Sequence, residues 1–578
     1  MSSMASDQIS GGAAQERALA QHVWLRVVAQ DTEVRTGDDG DEVLTESVRI
    51  PAEHLDAGPR GARFHVVDFD GTAGKLSPPV TIRLGDEDPF ADAAAASEAA
   101  KEGNARFRAR NVYAVAAATL ATFEAALGRR LAWRATGHKL FLVPRAFAEA
   151  NAFYSPLDGA IYFGYVPGAE SEHLTSLSYD IVAHETSHAI LDGLRPRYLE
   201  RGLPDQAAFH EALGDCVAML SVFGHEAVVE KLLRALGQSG DRIAMKDLEE
   251  EKLRETALLG LAEGLGKAIG RNGPLRRSVE RDPTPDWRDR PDLVEEHSRG
   301  EVLVAAMMRA LLSIWTGRIS ALIGPDGADL ERVAEEGTKA ATHLLGMLLR
   351  GIDYMPPVDL EFEDVLEAVL TADEIVSPDD RHGYRDAVKE GFEAWGIATP
   401  QPAGIVDMTE REQPGYGRAN ASVLRSDRDE ALRFVWENAE VFELDRTWRT
   451  SIEFLRPSVR IGPDGLVVSE LLVGYVQDVE LTAAQARALG VEIPAGLGDD
   501  VPLSLSGGGV IVFDQFHRVR LHQRKPLEDW QRHSRRLAHL VEIGALRAAE
   551  EGAPARVDLG EEPIAELHRS VANAGEVW

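Results

Sequence analysis

The chain is almost without cysteine and is short of positive charge. Its single cysteine, Cys216, rules out an intramolecular disulfide and any zinc cluster built from cysteines. No run of about 18 or more apolar residues occurs, so no transmembrane helix is expected. The first residues, MSSMASDQISGGAAQERALAQ, lack a basic start followed by an apolar stretch, which argues against a Sec signal peptide. A cytoplasmic protein that does not enter membranes is the expectation, with leaderless export left open. Basic residues number 62 against 95 acidic ones, a formal net charge of −33. A chain this acidic repels nucleic acid and anionic lipid at long range, so neither is an expected partner. The charge reads as a solvated surface, or as one suited to cationic substrates. No internal repeat of fixed period is found, and nothing in the sequence sets the oligomeric state.

What is present suits a globular protein of two or three domains: 578 residues, of which 44% are hydrophobic. Residues 1–20 are small and polar and are expected to be disordered. From 21 to 90 the runs HVWLRVV, LTESVRI, RFHVVDFD and PVTIRL, separated by Gly, Asp and Pro, predict a small β-rich unit. An alanine- and glutamate-rich helical stretch follows, then strands at Lys139–Pro144 and Gly159–Val166. From Ser176 to about Trp395 the pattern is mainly helical, crossed by a Pro-, Arg- and Asp-rich loop around Gly273–Leu293. A Pro- and Gly-bearing segment near residue 400 marks a boundary. Residues 401–578 read as a separate α/β domain with strand runs LVVSELLVGYV and GGVIVFDQFHRVRLHQ and a charged helix starting near Pro526.

One segment carries chemistry: DIVAHETSHAILD, Asp180–Asp192. Its apolar flanks and lack of breakers predict a buried helix over about 178–193. Positions i and i+4 share a helix face, so His184 and His188 can aim ring nitrogens at one zinc ion. Glu185, one step round, suits a general base acting on zinc-bound water. From 17 His and 95 acidic residues in 578, fewer than about 0.1 chance occurrences of H-E-x-x-H are expected. A pair of satisfied core histidines would look the same. A second helix over about 206–222 carries FHEALGDCVAML, with Glu211 placed 23 residues after His188. A glutamate there supplies the third ligand of a His₂Glu zinc site that keeps an open position for water. Asp215, four residues on, can orient a ligating histidine.

The pair DIVAHETSHAILDG and HEALGD resembles the thermolysin and fungalysin group of gluzincin metallopeptidases, whose helices read D-x-V-x-H-E-x-x-H-A-x-x-D and E-x-x-x-D. The resemblance covers Asp180, His184, Glu185, His188, Asp192, Glu211 and Asp215, and departs at His210, where thermolysin has Asn. It runs roughly from Asn104 to Trp395. It implies an α+β fold with a thermolysin-like zincin domain over 91–400, a small β-sheet lobe plus a helical lobe. Asn151-Ala152-Phe153-Tyr154 resembles the family's substrate-binding edge strand, which pairs with an extended peptide. Glu296-His297-Ser298-Arg299-Gly300-Glu301-Val302 resembles the segment whose histidine stabilises the transition state, which makes His297 an oxyanion donor. By the same resemblance Tyr198 is a second donor and Arg277 holds the substrate carbonyl. The acidic run that follows the third ligand in thermolysin is missing here, so no calcium is expected. What the resemblance implies is a zinc endopeptidase acting on peptide or protein substrates. Two other readings stay open: a non-catalytic zinc-binding scaffold, and a zinc hydrolase of a non-peptide amide.

Overall fold

The computed structural model describes residues 22–546, leaving aside 33–34, 37–41, 83–87, 135–136, 150, 168–171, 236–240, 245–246, 249–251, 254–281, 325–326, 400–404, 410, 412 and 463–464. The disorder expected of 1–20 and the role expected of Arg277 fall outside these residues. The described chain is mixed α+β.

The first lobe is built on strands β1 (Phe64–Val66), β2 (Leu140–Phe147), β3 (Ala152–Ser155), β4 (Ala160–Val166) and β5 (His173–Leu174). The order is β5-β4-β2-β1, with β3 also hydrogen-bonded to β4. β1, β2 and β4 run parallel, whereas β3 and β5 are antiparallel to β4. Period-2 alternation buries Leu142, Tyr154, Ile161 and Phe163 on one face. Phe141, Phe153 and Tyr162 lie on the other, more exposed face. The β-rich N-terminal residues pack into the rest: β1 joins this sheet, and Leu25, Val27 and Ile50 share one core with the central helices. A short unit of this kind cannot bury its strands alone, so its apolar faces merge with the larger core.

The second lobe is helical. Helix α1 (Ala105–Leu127) is alanine-rich, capped by the Asn104 side chain and closed by Gly128 at φ 65°. Helix α2 (Tyr179–Leu194) is the central element, with every residue but Gly193 buried. Helix α3 (Pro204–Phe223) starts with proline in its first turn. Helix α4 (Glu296–Ile319) is long and apolar enough to cross a membrane by length and composition, and 72% of that stretch is buried inside the protein. Among the described residues it is the one helix that meets that test, and Glu301 and Arg309 interrupt its apolar run, so it contains no unbroken stretch of about 18 apolar residues.

Beyond residue 400 the chain builds a five-stranded antiparallel sheet. Its order is Ile405–Asp407, Val519–Lys525, Pro502–Phe513, Val467–Thr482 and Arg449–Ile461. Helices Arg428–Glu437 and Trp530–Glu542 accompany it. It is not detached from the rest. Phe454, Leu472, Val510 and Val512 belong to the core shared with α2–α4. A buried ionic seam closes the joint. Fully buried Asp353 accepts from Arg129 at 2.6 and 2.7 Å and pairs with Arg460, which also donates to Glu470 at 2.6 Å. Burial alone would raise the Asp353 pKa, but Arg129 and then Arg460 outweigh it and hold the carboxyl well below its usual range.

Removing one partner of such a network strands buried charge. Asp353→Ala is expected to lower the unfolding free energy by about 3–5 kcal/mol, read from urea denaturation midpoints.

Candidate metal centre

Helices α2 and α3 bring the site together. His184, Glu185 and His188 are buried, and ligand-capable atoms of the three lie within 4.8 Å of one another, so the group can hold a metal ion. The helical i, i+4 spacing sets the two rings nearly perpendicular, with His184 Nε2 and His188 Nε2 2.9 Å apart. Glu211 arrives from α3: its Oε2 is 3.6 Å from His184 Nε2 and its Oε1 is 3.6 Å from His188 Nε2. Ligand atoms disposed tetrahedrally at about 2.0–2.1 Å from one zinc ion stand about 3.3–3.4 Å apart. The three observed separations bracket that spacing, so this donor set fits the ion.

The back of each imidazole is also held. Asp215 Oδ1 lies 3.0 Å from His184 Nδ1, which keeps the proton on Nδ1 and leaves Nε2 as the donor. His188 Nδ1 meets His210 Nδ1 at 2.9 Å. The residue that departs from the thermolysin pattern therefore takes a specific part: His210 orients the second histidine. Close helix approach makes this possible at Gly214, where a Cβ would come within 2.7 Å of His184 Nδ1.

The electrostatics of the cluster favour positive charge. Burial works against a charged His184, yet Asp215 and Glu211 outweigh it and hold that imidazole well above its ordinary value. Burial also works against a charged Glu211, and His297, His188 and His184 hold that carboxyl well below. A metal ion could satisfy the same carboxylates, releasing protons from the imidazoles as it bound.

His297, from the first turn of α4, places Nε2 3.1 Å from Glu211 Oε2. Glu295 stands behind it with Oε1 2.5 Å from Nδ1. Neither Glu295 nor Gly214 was marked by sequence reasoning. An acidic residue two before the histidine and a glycine beside Asp215 were the signals available.

On the sheet side, β3 lies outside β4 and alongside α2. Asn151 is buried, and its Oδ1 accepts from Ala152 N–H at 2.8 Å. Phe153 is flanked by Phe147 and Tyr162, with ring centroids 5.6 and 5.2 Å away. Tyr154 Oη donates to Asp192 Oδ2 at 2.9 Å and Arg134 donates to Asp192 Oδ1 at 2.9 Å. The Asn151–Tyr154 segment is thereby tied to the helix carrying His184 and His188. Tyr198 is the correction. Its ring is buried against Phe209, 6.1 Å between centroids, and its hydroxyl donates to the Pro356 carbonyl at 2.6 Å. The Pro196–Leu199 turn directs it into the joint with the 353–357 segment, so that hydroxyl is engaged there and not as an oxyanion donor.

At the start of α2, Ser178 Oγ stands 2.6 Å from Asp180 Oδ1 and 2.9 Å from Asp31 Oδ2. A helix N-terminus favours a charged carboxylate, but here burial, then the neighbouring Asp31, push the Asp180 pKa up to about 7. No family model matches this chain, and no curated protein matches it at a significant level.

Two outcomes follow from this geometry. His210→Ala, which removes the partner of His188 Nδ1, is expected to weaken zinc affinity about 10- to 100-fold while His210→Asn retains most of it, measured by chelator competition. Asp180 holds its proton more tightly folded than unfolded, so its contribution to stability falls as pH rises from about 4 to about 7. Asp180→Asn should flatten that dependence in urea melts at pH 5 and pH 8; equal slopes in both proteins would refute the assignment.

Proposed function

We propose that the chain is a zinc-dependent endopeptidase with a thermolysin-like catalytic domain. The observation that carries this reading is the convergence of the Glu211 carboxylate on the Nε2 atoms of both His184 and His188, 3.6 Å from each. His184, His188 and Glu211 would hold the ion. When bound, zinc supplies Lewis-acid polarisation of a carbonyl and lowers the pKa of water to about 7.

The chain's own groups supply the remaining steps. Glu185, buried beside both histidines, takes a proton from the attacking water and passes it to the departing amine. His297 donates from Nε2 to the substrate oxygen as that atom gains charge. Glu295, behind Nδ1, fixes the ring so that Nε2 faces the reacting carbonyl. The Asn151–Tyr154 strand favours an extended peptide, since strand backbone pairs with strand backbone and alternate side chains reach pockets on either side. That preference sets the reading apart from hydrolysis of a small non-peptide amide.

One observation favours the second reading, a zinc-holding scaffold without turnover. His184, Glu185, His188 and Glu211 are each buried, as the ligands of a purely structural metal site would be.

Zinc content and hydrolysis of a quenched fluorescent peptide separate the two. The purified protein is expected to carry one zinc and to cleave the peptide. Glu185→Gln should keep the zinc and lose about 10²- to 10⁴-fold in kcat. A Gln variant as fast as the parent removes Glu185 as the base. Zinc without hydrolysis in the parent leaves the scaffold.

A further inference from the structure

We propose that the Arg299–Asp205 ion pair is the positioning device of His297, locking the turn that carries His297 onto the helix that carries Glu211. The proposal rests on the reading of His297 as donor to the developing oxyanion.

His297 is the second residue of α4. The first turn of a helix has N–H groups without intrahelical acceptors and is easily displaced. Glu295 caps that turn, accepting from Ser298 N–H at 2.9 Å. Its side chain is 47% exposed, and it belongs to the same turn. It can orient the ring relative to α4 without placing α4 against the metal ligands.

Arg299 supplies that placement. Its Nε donates to Asp205 Oδ1 at 2.6 Å, and the two side chains are 7% and 4% exposed. Asp205 lies in the first turn of α3, six residues before Glu211, about 9 Å along the helix axis. One turn of α4 therefore grips α3 at two points, His297 on Glu211 and Arg299 on Asp205. Two points set orientation as well as distance. Between them the helices meet backbone to backbone: a Cβ at Gly300 would stand 2.8 Å from the Ala208 carbonyl oxygen.

The pair is itself immobilised. The Arg299 guanidinium lies over the Trp287 ring at 4.6 Å, and Trp287 stacks on Phe362 at 5.6 Å and 20°. Asp205 Oδ2 accepts from Phe362 N–H at 3.2 Å. Lysine would keep the charge but lose both the planar stack and the fixed direction of the Nε–H.

The test compares Arg299→Lys and the double variant Asp205→Asn/Arg299→Met, which removes both buried charges and leaves neither unpaired, with the unaltered protein. Crystal structures, zinc content, kcat and KM are measured for each. The His297 Nε2 to Glu211 Oε2 separation is expected to open beyond hydrogen-bond reach while zinc content holds. In step with it, kcat should fall about 10- to 100-fold with KM within about twofold. Wild-type separation and kcat in both variants would overturn the proposal. If the unaltered protein cleaves no peptide, the parent reading fails on its own, and the crystallographic separation still decides whether the pair positions His297.

Discussion

Buried charge that water cannot share is the constraint from which the rest of the structure follows. Glu211, Glu185 and Asp215 are carboxylates held in the protein interior beside two imidazoles. Ionised groups in such a place are costly unless positive charge is brought to them. The two histidines on one face of α2 and the glutamate on α3 stand close enough that a single divalent ion could offset most of that negative charge. Everything that draws α2 and α3 together serves that balance: the glycine at 214 against the His184 ring, Asp215 behind one imidazole and His210 behind the other.

The same logic extends outward. The joint between the helical lobe and the C-terminal sheet is not a greasy seam alone but an ionic one, with Asp353, Arg129, Arg460 and Glu470 paired in the interior. Lys525 reaches Glu361 and Asp364 at 2.8 Å each, and Arg532 reaches Asp359 at 2.9 Å. These contacts grip the 353–364 segment, whose Pro356 carbonyl receives the Tyr198 hydroxyl and whose Phe362 N–H donates to Asp205. The C-terminal sheet thus bears on the segment that supports the site, and it is an integral wall of the fold.

Much of the centre was legible in the sequence because helical periodicity is a local property. Four-residue spacing places His184 over His188, and the two helices expected over 178–193 and 206–222 are found as Tyr179–Leu194 and Pro204–Phe223. The meeting of Glu211 with the histidines also followed from a loop of suitable length. What was not legible depends on packing between distant segments. Tyr198 stands at a plausible spacing, but its direction is set by Pro356, far along the chain. His210 looked like a neutral departure until the α2–α3 approach placed it on His188. The N-terminal strand Phe64–Val66 finds its partner at Leu140–Leu142, across two helices, and no local pattern announces that pairing. Likewise Arg449–Ile461 carries Pro457 in mid-run, which weighs against a strand, and its pairing with Val467–Thr482 makes it one.

X-ray absorption at the zinc edge of the purified protein tests the central claim most directly. The account predicts one zinc whose nearest shell holds two imidazole nitrogens, with carboxylate and water oxygens, at about 2.0–2.2 Å. A bound metal with no histidine in that shell, or a protein that takes up no zinc, would contradict it.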